Sequence, residues 1–472
     1  MALRLAKLGV MKKTQSPFLL TLALVGLGAV AMPGRAQVII SGTFGDSTGF
    51  PIAATAAEEA ALSAAFDGTN FLVSIQTQTT IGAQLVSPSG ATVGPLTTTN
   101  RSGVGPVLGF NGTNYLLAWA TLDASPFAYG QLVSPSGTTA GVPFQISQSN
   151  TLIPEGVAAG IASDGTDYLV VWIDSRLSSD NYINGRLVAA SGSPVGSETM
   201  ISGSPGKEAG VAFDGNNYLV VWHGGGSHRP LVMGRFIDRA GASASAEFIV
   251  NGSLAPSDNP GAIVFGGTNY LVVWPDEVEG SGEGQLFGQL VTPSGALAGG
   301  VILITTARRP RLPSAAFDGA SYLVTWTDFP CGDPTGTCAD VYGQYFSKCG
   351  TAVGSVFPIA AGPGNQMFSA TTFGAGQYLV TWNEGATVGE GGLIGGDVYG
   401  TLLAPAPPPA VACVGDCGGD GTVTVDELLT MVNIALGNTT VCACETGDAG
   451  GNGQITVDEI LTAVNNALNG CA

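Results

Sequence analysis

The stretch FDGNNYLVVW, residues 213–222, is one of seven copies of a single phrase that decides the fold. The other copies begin at Phe66, Phe110, Ser163, Phe265, Phe317 and Phe373. Successive copies start 44, 53, 50, 52, 52 and 56 residues apart. All six Trp of the chain close a copy, and Ile75 takes that place in the first. Self-similarity at this period indicates a solenoid or a ring of repeated units.

The composition within each unit favours four short strands. Asp-Gly or Asn-Gly precedes a run such as YLVVW, and this dipeptide suits a hairpin turn because the turn needs positive φ. A third run, as in YGQLVSPSG (residues 129–137), ends in another turn, and a fourth, as in VILIT (residues 301–305), follows. Four antiparallel strands per unit predict the blade of a β-propeller. We therefore expect a mainly β protein with a seven-bladed β-propeller of four-stranded antiparallel blades over residues 37–404.

The seventh unit has no fourth strand of its own. After DVYGTLLAP (residues 397–405) the chain enters the proline-rich run APAPPPA (residues 404–410). FPIAA (residues 50–54) resembles VFPIA (residues 356–360), and it precedes the first phrase. We expect this leading segment to complete the last blade, which would close the ring and remove an exposed edge. We expect the six Trp to pack between blades rather than to form a surface that stacks sugars.

Residues 1–36 have the pattern of a secretory signal. They contain five bases (Arg4, Lys7, Lys12, Lys13 and Arg35), no acid, and an apolar run over residues 17–31. Small residues suit cleavage after Ala31 or Ala36. The remaining chain has 11 Lys and Arg against 35 Asp and Glu, a formal net charge of −24. We expect a secreted monomer with no membrane span and, because of the acidic charge, no nucleic-acid partner.

Beyond a proline-rich linker at residues 405–412, two twelve-residue stretches have the spacing of calcium loops. DCGGDGTVTVDE (residues 416–427) and DAGGNGQITVDE (residues 448–459) each precede an amphipathic helix. Calcium takes oxygens from loop positions 1, 3, 5, 7, 9 and 12, with Gly at position 6 for the turn. Those positions are Asp416, Gly418, Asp420, Thr422, Thr424 and Glu427 in loop one, and Asp448, Gly450, Asn452, Gln454, Thr456 and Glu459 in loop two. Gly at position 3 supplies no side-chain oxygen, so we expect water there and weak binding.

The region over residues 413–472 resembles the dockerin type I family, because it holds two such loop–helix units. The resemblance implies a small α-helical calcium-binding domain that docks onto cohesin domains and often accompanies polysaccharide-degrading enzymes. This chain departs from the family at position 3, where it has Gly, and at position 12, where it has Glu. Family members often have a Ser/Thr pair at positions 10 and 11, and here those positions are Val425–Asp426 and Val457–Asp458.

The eight cysteines indicate an oxidising compartment, because small exported domains bury little core and rely on disulfides. Three lie in the sixth unit (Cys331, Cys338 and Cys349), and five lie near the loops. Both groups are odd. Either one bridge joins the sixth unit to the C-terminal region, for example from Cys349 to Cys413, or two thiols stay free.

No catalytic motif stands out, and two hypotheses remain. His223 and His228 flank a Gly-rich stretch, and acids recur shortly after the Trp positions at Asp174, Asp276, Asp328 and Glu384. In the first hypothesis the propeller binds a ligand, such as a carbohydrate, or an extracellular protein, and the C-terminal domain provides calcium-dependent attachment to a cohesin-like or other partner. The alternative is a carbohydrate-active hydrolase, which requires two carboxyl groups about 5–10 Å apart.

Overall fold

The computed structural model describes residues 49–471 with several gaps. The gaps are residues 56–58, 79, 123–125, 149–159, 175–180, 225–230, 252–260, 278–283, 307–308, 330–337, 390–391, 395 and 407–412. The predicted signal segment and most of the predicted linker therefore lie outside the described residues. Within them, no helix is long and apolar enough to cross a membrane.

Seven antiparallel sheets, each the blade of a β-propeller, follow one another along the chain. The first strands are Glu59–Ala60 with Ala64–Phe66, Val104–Phe110, Gly160–Ser163, Gly206–Phe213, Ala262–Phe265, Arg311–Phe317 and Gln366–Gly374. The second strands are Phe71–Thr77, Tyr115–Ala120, Tyr168–Asp174, Asn217–Gly224, Tyr270–Glu277, Ser321–Asp328 and Gln377–Glu384. The third strands are Ile81–Val86, Ala128–Val133, Tyr182–Val188, Leu231–Asp238, Gly284–Val291, Asp340–Ser347 and Asp397–Leu403. The fourth strands are Thr92–Thr98, Thr139–Gln145, Pro194–Met200, Phe248–Ile249, Leu297–Thr305, Ala352–Ala360 and, in blade seven, Phe50–Ala53, while Thr387–Gly389 and Gly392–Ile394 form a separate hairpin.

The blades form a closed ring. Each first strand contacts the first strands of both neighbouring blades, and the first strand of blade seven contacts that of blade one. The leading strand pairs antiparallel with the third strand of blade seven, where Phe50 lies opposite Gly400 and Pro51 opposite Tyr399. Ile52 belongs to an apolar cluster that joins blade seven to blade one. The predicted seven-bladed fold is confirmed, and the predicted closure by the leading segment is present.

The second strands are the buried layer of every blade, because their residues are apolar on both faces. All six Trp are at most 1% exposed, and Ile75 is fully buried. Trp119 lies opposite Tyr129 on the third strand, with ring centroids 6.3 Å apart. The prediction that these Trp pack inside the ring is confirmed. None of them offers a face to a sugar.

The Asp-Gly turns form as the sequence predicts. In blade four, Asp214 Oδ1 accepts hydrogen bonds from the backbone N–H groups of Asn216 and Asn217, each at 2.7 Å. Gly215 between them has φ = 101°, a value that a residue with a Cβ rarely adopts. This turn therefore uses both an acceptor side chain and a glycine.

Tyrosines at the start of the second strands tie neighbouring blades together, a feature that the sequence analysis missed. Tyr322 Oη donates to the carbonyl oxygen of Asn269 in the preceding blade at 3.1 Å, and Tyr378 Oη donates to that of Ser321 at 2.9 Å. The same bond joins Tyr115 to Asn70, Tyr168 to Asn114, and Tyr270 to Asn217. Within the described residues, the hydroxyl of Tyr218 is buried and makes no hydrogen bond of ordinary geometry. Burial raises the pKa of these phenols, so they stay protonated donors.

The outer strands carry a repeated bulge. In blade two the register between the third and fourth strands shifts after Ala140, and Gly141 has φ = 74°. Gln131 Nε2 donates to the carbonyl oxygens of Leu132 at 2.9 Å and Ala140 at 3.0 Å, so the bulge leaves these acceptors satisfied. Gln84, Gln289 and Gln344 do the same in blades one, five and six. Bulges on edge strands hinder pairing with other chains.

The C-terminal module consists of two α-helices and two short 3₁₀-helices around a small core. Helix α1 spans Val425–Ala435 and helix α2 spans Val457–Asn469, and the 3₁₀-helices are Val441–Ala443 and Glu445–Gly447. Met431 and Ala463 are fully buried between them. The two helices follow the two loops, as predicted.

Disulfides staple this module internally and fix it to the propeller. Cys413 pairs with Cys471, and Cys417 pairs with Cys444. A third bridge joins Cys349 of blade six to Cys442. The bridge from blade six to the C-terminal region is thus present, but the partner suggested for Cys349 was wrong, because Cys413 pairs with the distant Cys471. No described cysteine is free, Cys338 is also disulfide-bonded, and Cys331 lies outside the described residues.

Candidate metal centre

Loop one is wrapped around the carboxylate of Asp416. This side chain is 6% exposed. Its Oδ1 accepts a hydrogen bond from the N–H of Asp420 at 3.0 Å, and its Oδ2 accepts one from Gly421 at 2.7 Å. Gly421 has φ = 87° and makes the sharp turn expected of position 6. The residue at predicted ligand position 1 therefore organises the backbone of the loop.

Glu427 closes the loop from the opposite side and begins helix α1. Its Oε1 accepts from Gly418 N at 2.8 Å, and its Oε2 accepts from Thr424 N at 2.7 Å. The Thr424 hydroxyl in turn accepts from Glu427 N, which completes a capping box at the start of α1. One carboxylate thus spans loop positions 3 and 9.

Loop two repeats this arrangement. Asp448 accepts from the N–H groups of Asn452, at 2.9 Å, and Gly453. Glu459 accepts from Gly450 N at 3.1 Å and from Thr456 N at 2.7 Å, and it forms the capping box of α2 with Thr456. The backbone hydrogen bonds that Asp416 and Glu427 accept in loop one therefore recur at Asp448 and Glu459 in loop two.

Hydrogen bonds favour the ionised form of Asp420, Glu427 and Glu459. The hydroxyl and backbone N–H of Thr422 lower the pKa of Asp420. Burial alone would raise the pKa of Glu427, but hydrogen bonds from Thr424 and Gly418 outweigh it, and the pKa is lowered. Glu459 follows the same pattern. Ionised carboxylates are the form that a cation needs.

The donor set of each loop suits a hard cation. The side chains bring carboxylate, hydroxyl and amide oxygens, which calcium prefers and softer metals do not. A Cβ on Gly418 would lie 3.3 Å from Glu427 Oε1, so position 3 faces the carboxylate of position 12. Among the described residues, no three His, Cys, Asp or Glu side chains converge as a metal cluster. A cation in these loops would thus draw on backbone carbonyl, hydroxyl and water oxygens as well as carboxylates, and the residues fit calcium on those terms.

The two helices present matching apolar stripes to solvent, a feature that the sequence analysis did not identify. On α1, Val425 is 72% and Leu429 is 55% exposed. On α2, Val457 is 71% and Leu461 is 60% exposed. Leu436 and Leu468 extend the two stripes, and each pair is offset by the 32 residues that separate the loops. Residues 413–472 contain eight acids and no Lys or Arg, so the surroundings of both stripes are acidic.

The module contacts blade six through a different face. Lys348 Nζ donates to the carbonyl oxygen of Asn452 at 3.2 Å, and Thr351 Oγ1 donates to Glu445 at 2.8 Å. The disulfide at Cys349 lies between these two contacts along the chain. The contacts involve loop two and the 3₁₀-helices, and they leave the apolar stripes of α1 and α2 exposed.

The acids considered as catalytic candidates lie at the ends of second strands in four different blades. Asp174, in blade three, is buried and accepts a hydrogen bond from Asn184. Asp276 is buried in blade five. Glu384, in blade seven, accepts from Gln366 Nε2 at 2.7 Å. Asp174 and Glu384 are therefore held by amides of their own blades.

Blade six contains a further carboxyl group, that of Asp340, which the sequence analysis missed. Asp328 lies opposite Asp340 across the second and third strands of blade six. Burial raises the pKa of Asp340, a hydrogen bond from Gly362 N opposes this, and the charge of Glu384 adds to the rise. The charge of Glu384 in blade seven thus contributes to the raised pKa of Asp340 in blade six. His223 lies opposite Lys207 in blade four, and His228 lies outside the described residues.

Comparisons with known proteins identify no family for the chain. No family model matches the sequence, and no curated protein matches it. TolB from Acinetobacter baumannii is similar to this chain, with 13% identity and a TM-score of 0.40. The match covers 66% of this chain and 66% of TolB, just under two thirds of each. The β-propeller domain of the Trilobed protease from Pyrococcus furiosus, described as having an open velcro topology, covers 65% of this chain and 86% of its own, with 10% identity and a TM-score of 0.37. These similarities carry no conclusion about function. The chain itself is a seven-bladed β-propeller with a disulfide-anchored, two-helix C-terminal module.

Proposed function

We propose that this is a secreted calcium-binding protein whose propeller binds a ligand or another protein and whose C-terminal module attaches it to an extracellular partner. The observation that carries the proposal is a double repetition. Two loops with the same hydrogen bonds each lead into a helix, and each helix exposes an apolar stripe at the same offset.

The acidic charge of the module gives calcium a structural role. Eight acids within 60 residues and no compensating base repel one another. Two calcium ions would offset half of this charge and fix the loops from which α1 and α2 begin. For loops that lack a position 3 ligand we expect a Kd of ~10⁻⁴–10⁻³ M. At ~1 mM calcium, the tighter value stabilises the module by ~1.4 kcal/mol per site.

The resemblance to dockerin modules supports an attachment role and a cohesin-like partner. Exposed stripes such as Val425 with Leu429 are unusual on a monomer, since large apolar patches mark interaction sites. Acidic surroundings favour a partner whose apolar surface is bordered by basic side chains. Val-Asp at positions 10 and 11, in place of the family's hydroxyl pair, points to a partner surface with apolar contacts at those positions.

Secretion is supported by two independent features. Residues 1–36 have the composition of a signal peptide. The three disulfides described, and the bonded state of Cys338, belong to an oxidising compartment.

The alternative of a carbohydrate-active hydrolase has one observation in its favour. Burial and, to a smaller extent, the charge of Glu384 raise the pKa of Asp340, and a carboxyl group with a raised pKa suits the role of a general acid. Release of reducing sugar from a panel of polysaccharides tests it. The hydrolase hypothesis requires that the wild type is active and that Asp340→Asn abolishes this activity. A wild type that is inactive on every polysaccharide tested would contradict it.

Isothermal titration of the full-length protein with calcium tests the main proposal. We expect two bound ions and loss of binding in the double variant Glu427→Gln/Glu459→Gln, which removes the position 12 carboxylates. The matched control, Asp426→Asn/Asp458→Asn, removes the same number of charges from the same loops outside the ligand set, and it should still bind. No binding by the wild type at several times 10⁻³ M calcium, the weak end of the expected range, would refute the proposal.

A further inference from the structure

The two loops differ in what lies beside them. Lys348, in the turn after the third strand of blade six, lies directly on loop two. A Cβ built on Gly453, at position 6, would be 2.7 Å from Lys348 Nζ. At Gly421, the same position of loop one, a Cβ would meet no atom within 4 Å. Only the second of these two equivalent turns therefore carries an ammonium group against its backbone.

The position of the Lys348 ammonium group is set by its neighbours. The next residue, Cys349, is bonded to Cys442 of the module. Thr351, further along the same turn, is hydrogen-bonded to Glu445. Lys348 also lies over the ring of Phe317, with Nζ 5.8 Å from its centroid. These contacts on both sides limit how far the ammonium group can move away from the loop.

Lys348 and Asp448, the residue at position 1 of loop two, border a common cavity. A cavity of about 170 Å³ between blade six and the module is lined by Lys348, Asp448 and Gly450, among other residues. A cation bound by Asp448 would therefore interact with Lys348 across this cavity. Such an interaction between like charges is repulsive and lowers the affinity for the cation.

The loop sequences act in the same direction. Loop one has Asp420 at position 5, whereas loop two has Asn452, which brings an oxygen without a charge. Loop one holds four acids in its twelve residues, and loop two holds three. Affinity for calcium rises with the number of ligand charges. Loop two is thus the poorer site by sequence before the effect of Lys348 is added.

We infer that loop two is the weaker of two calcium sites and that Lys348 sets part of the difference. This rests on the proposed function, since it concerns how the proposed sites are filled. Calcium fills loop one first and binds loop two only at higher concentration. Loop two is the loop that contacts Lys348 of blade six. For a single charge and a divalent ion several ångströms apart near the surface, removal of Lys348 should tighten loop two about 3- to 10-fold. Salt should reduce the effect, because the cavity is near solvent.

Two single-loop proteins make the inference measurable. Full-length Glu427→Gln retains loop two as its functional calcium site, and full-length Glu459→Gln retains loop one. Lys348→Met, which keeps the aliphatic stem over Gly453 but removes the charge, is added to each. Isothermal titration with calcium should show about 3- to 10-fold tighter binding in the loop-two protein and no change in the loop-one protein. Lys348→Arg, which keeps the charge, should behave as the wild type in both.

The outcomes separate the inference from the proposed function. If the wild type binds calcium but Lys348→Met leaves loop two unchanged, or tightens both loops equally, the inference is wrong and the calcium proposal stands. If the loop-two protein binds more tightly than the loop-one protein with Lys348 in place, the inference is also wrong. If the wild type binds no calcium, the proposed function fails first and the inference fails with it.

Discussion

Replacing Tyr322 by Phe tests whether the tyrosine hydroxyls stabilise the ring. Tyr322 is fully buried, and its Oη donates to the carbonyl oxygen of Asn269 in the preceding blade at 3.1 Å. The substitution removes one oxygen and keeps the packing of the ring against Phe317, whose centroid is 4.9 Å away. The effect therefore isolates one hydrogen bond between two blades.

The expected magnitude follows from what remains bonded. The Asn269 carbonyl also accepts from Gly266 N at 2.8 Å, so Tyr322→Phe does not leave it without a donor. The cost is then the net value of one buried hydrogen bond, about 0.5–1.5 kcal/mol, rather than the larger penalty for an unsatisfied group. We expect the free energy of unfolding to fall by about 1 kcal/mol.

The protein supplies its own control in Tyr218→Phe. The hydroxyl of Tyr218 occupies the same position in blade four but makes no hydrogen bond of ordinary geometry within the described residues. Its removal should be neutral or stabilising, because a buried polar group is taken away with no bond lost. Urea unfolding followed by tryptophan fluorescence should place the midpoint of Tyr322→Phe below the wild type and that of Tyr218→Phe at or above it. Equal midpoints for the two variants would refute this reasoning.

Three further predictions address the closure, the anchor and the acids. Ile52→Ala should lower the free energy of unfolding by about 2–5 kcal/mol, measured by urea unfolding, because Ile52 is buried at the seam between blades seven and one; no change would contradict closure by the leading strand. Cys349→Ser/Cys442→Ser should expose the module to limited proteolysis and cost about 2–4 kcal/mol of its stability, since the bridge spans 93 residues; an unchanged digestion pattern would show that the bridge is not needed to hold the module. Asp340→Asn should raise Tm at pH 7, and this gain should vanish as pH falls towards ~4. The reason is that the pKa of Asp340 is higher in the folded than in the unfolded state, so the wild type loses stability as pH rises through the folded-state pKa. A gain in Tm that grows towards low pH would contradict this prediction.

The fold could be predicted from the sequence because its decisive features are local and repeated. A stretch such as residues 213–222 predicts a turn and a buried strand within ten residues, and its seven copies predict seven blades. The leading strand was predictable for the same reason, since residues 50–54 resemble a fourth strand and the last unit lacked one.

Contacts between blades, and between blade six and the C-terminal module, were harder to predict, because no local sequence pattern indicates which distant residue a side chain will contact. Tyr322 reads as an apolar strand residue, and only the ring geometry brings its hydroxyl to Asn269. The odd cysteine counts required a bridge between blade six and the C-terminal region or two free thiols, but only the fold chose Cys442. Asp340 is separated in sequence from Glu384, and the juxtaposition of two blades brings them together.

The candidate metal centre shows the same division. Spacing alone predicted the ligand positions of each loop, and in the structure the first residue of each loop accepts the same backbone hydrogen bond. The spacing could not reveal Lys348, which comes from blade six and lies 104 residues before Asn452. The proposed inequality of the loops therefore has two sources, the difference between Asp420 and Asn452 in the sequence and the contact with Lys348 in the assembled protein.

Native mass spectrometry of the intact, disulfide-bonded protein tests the central claim most directly, because it counts bound ions. In the presence of calcium we predict a mass increase equal to two ions for the wild type and none for Glu427→Gln/Glu459→Gln. A wild-type mass that calcium leaves unchanged, or an equal increase in the double variant, would contradict the account.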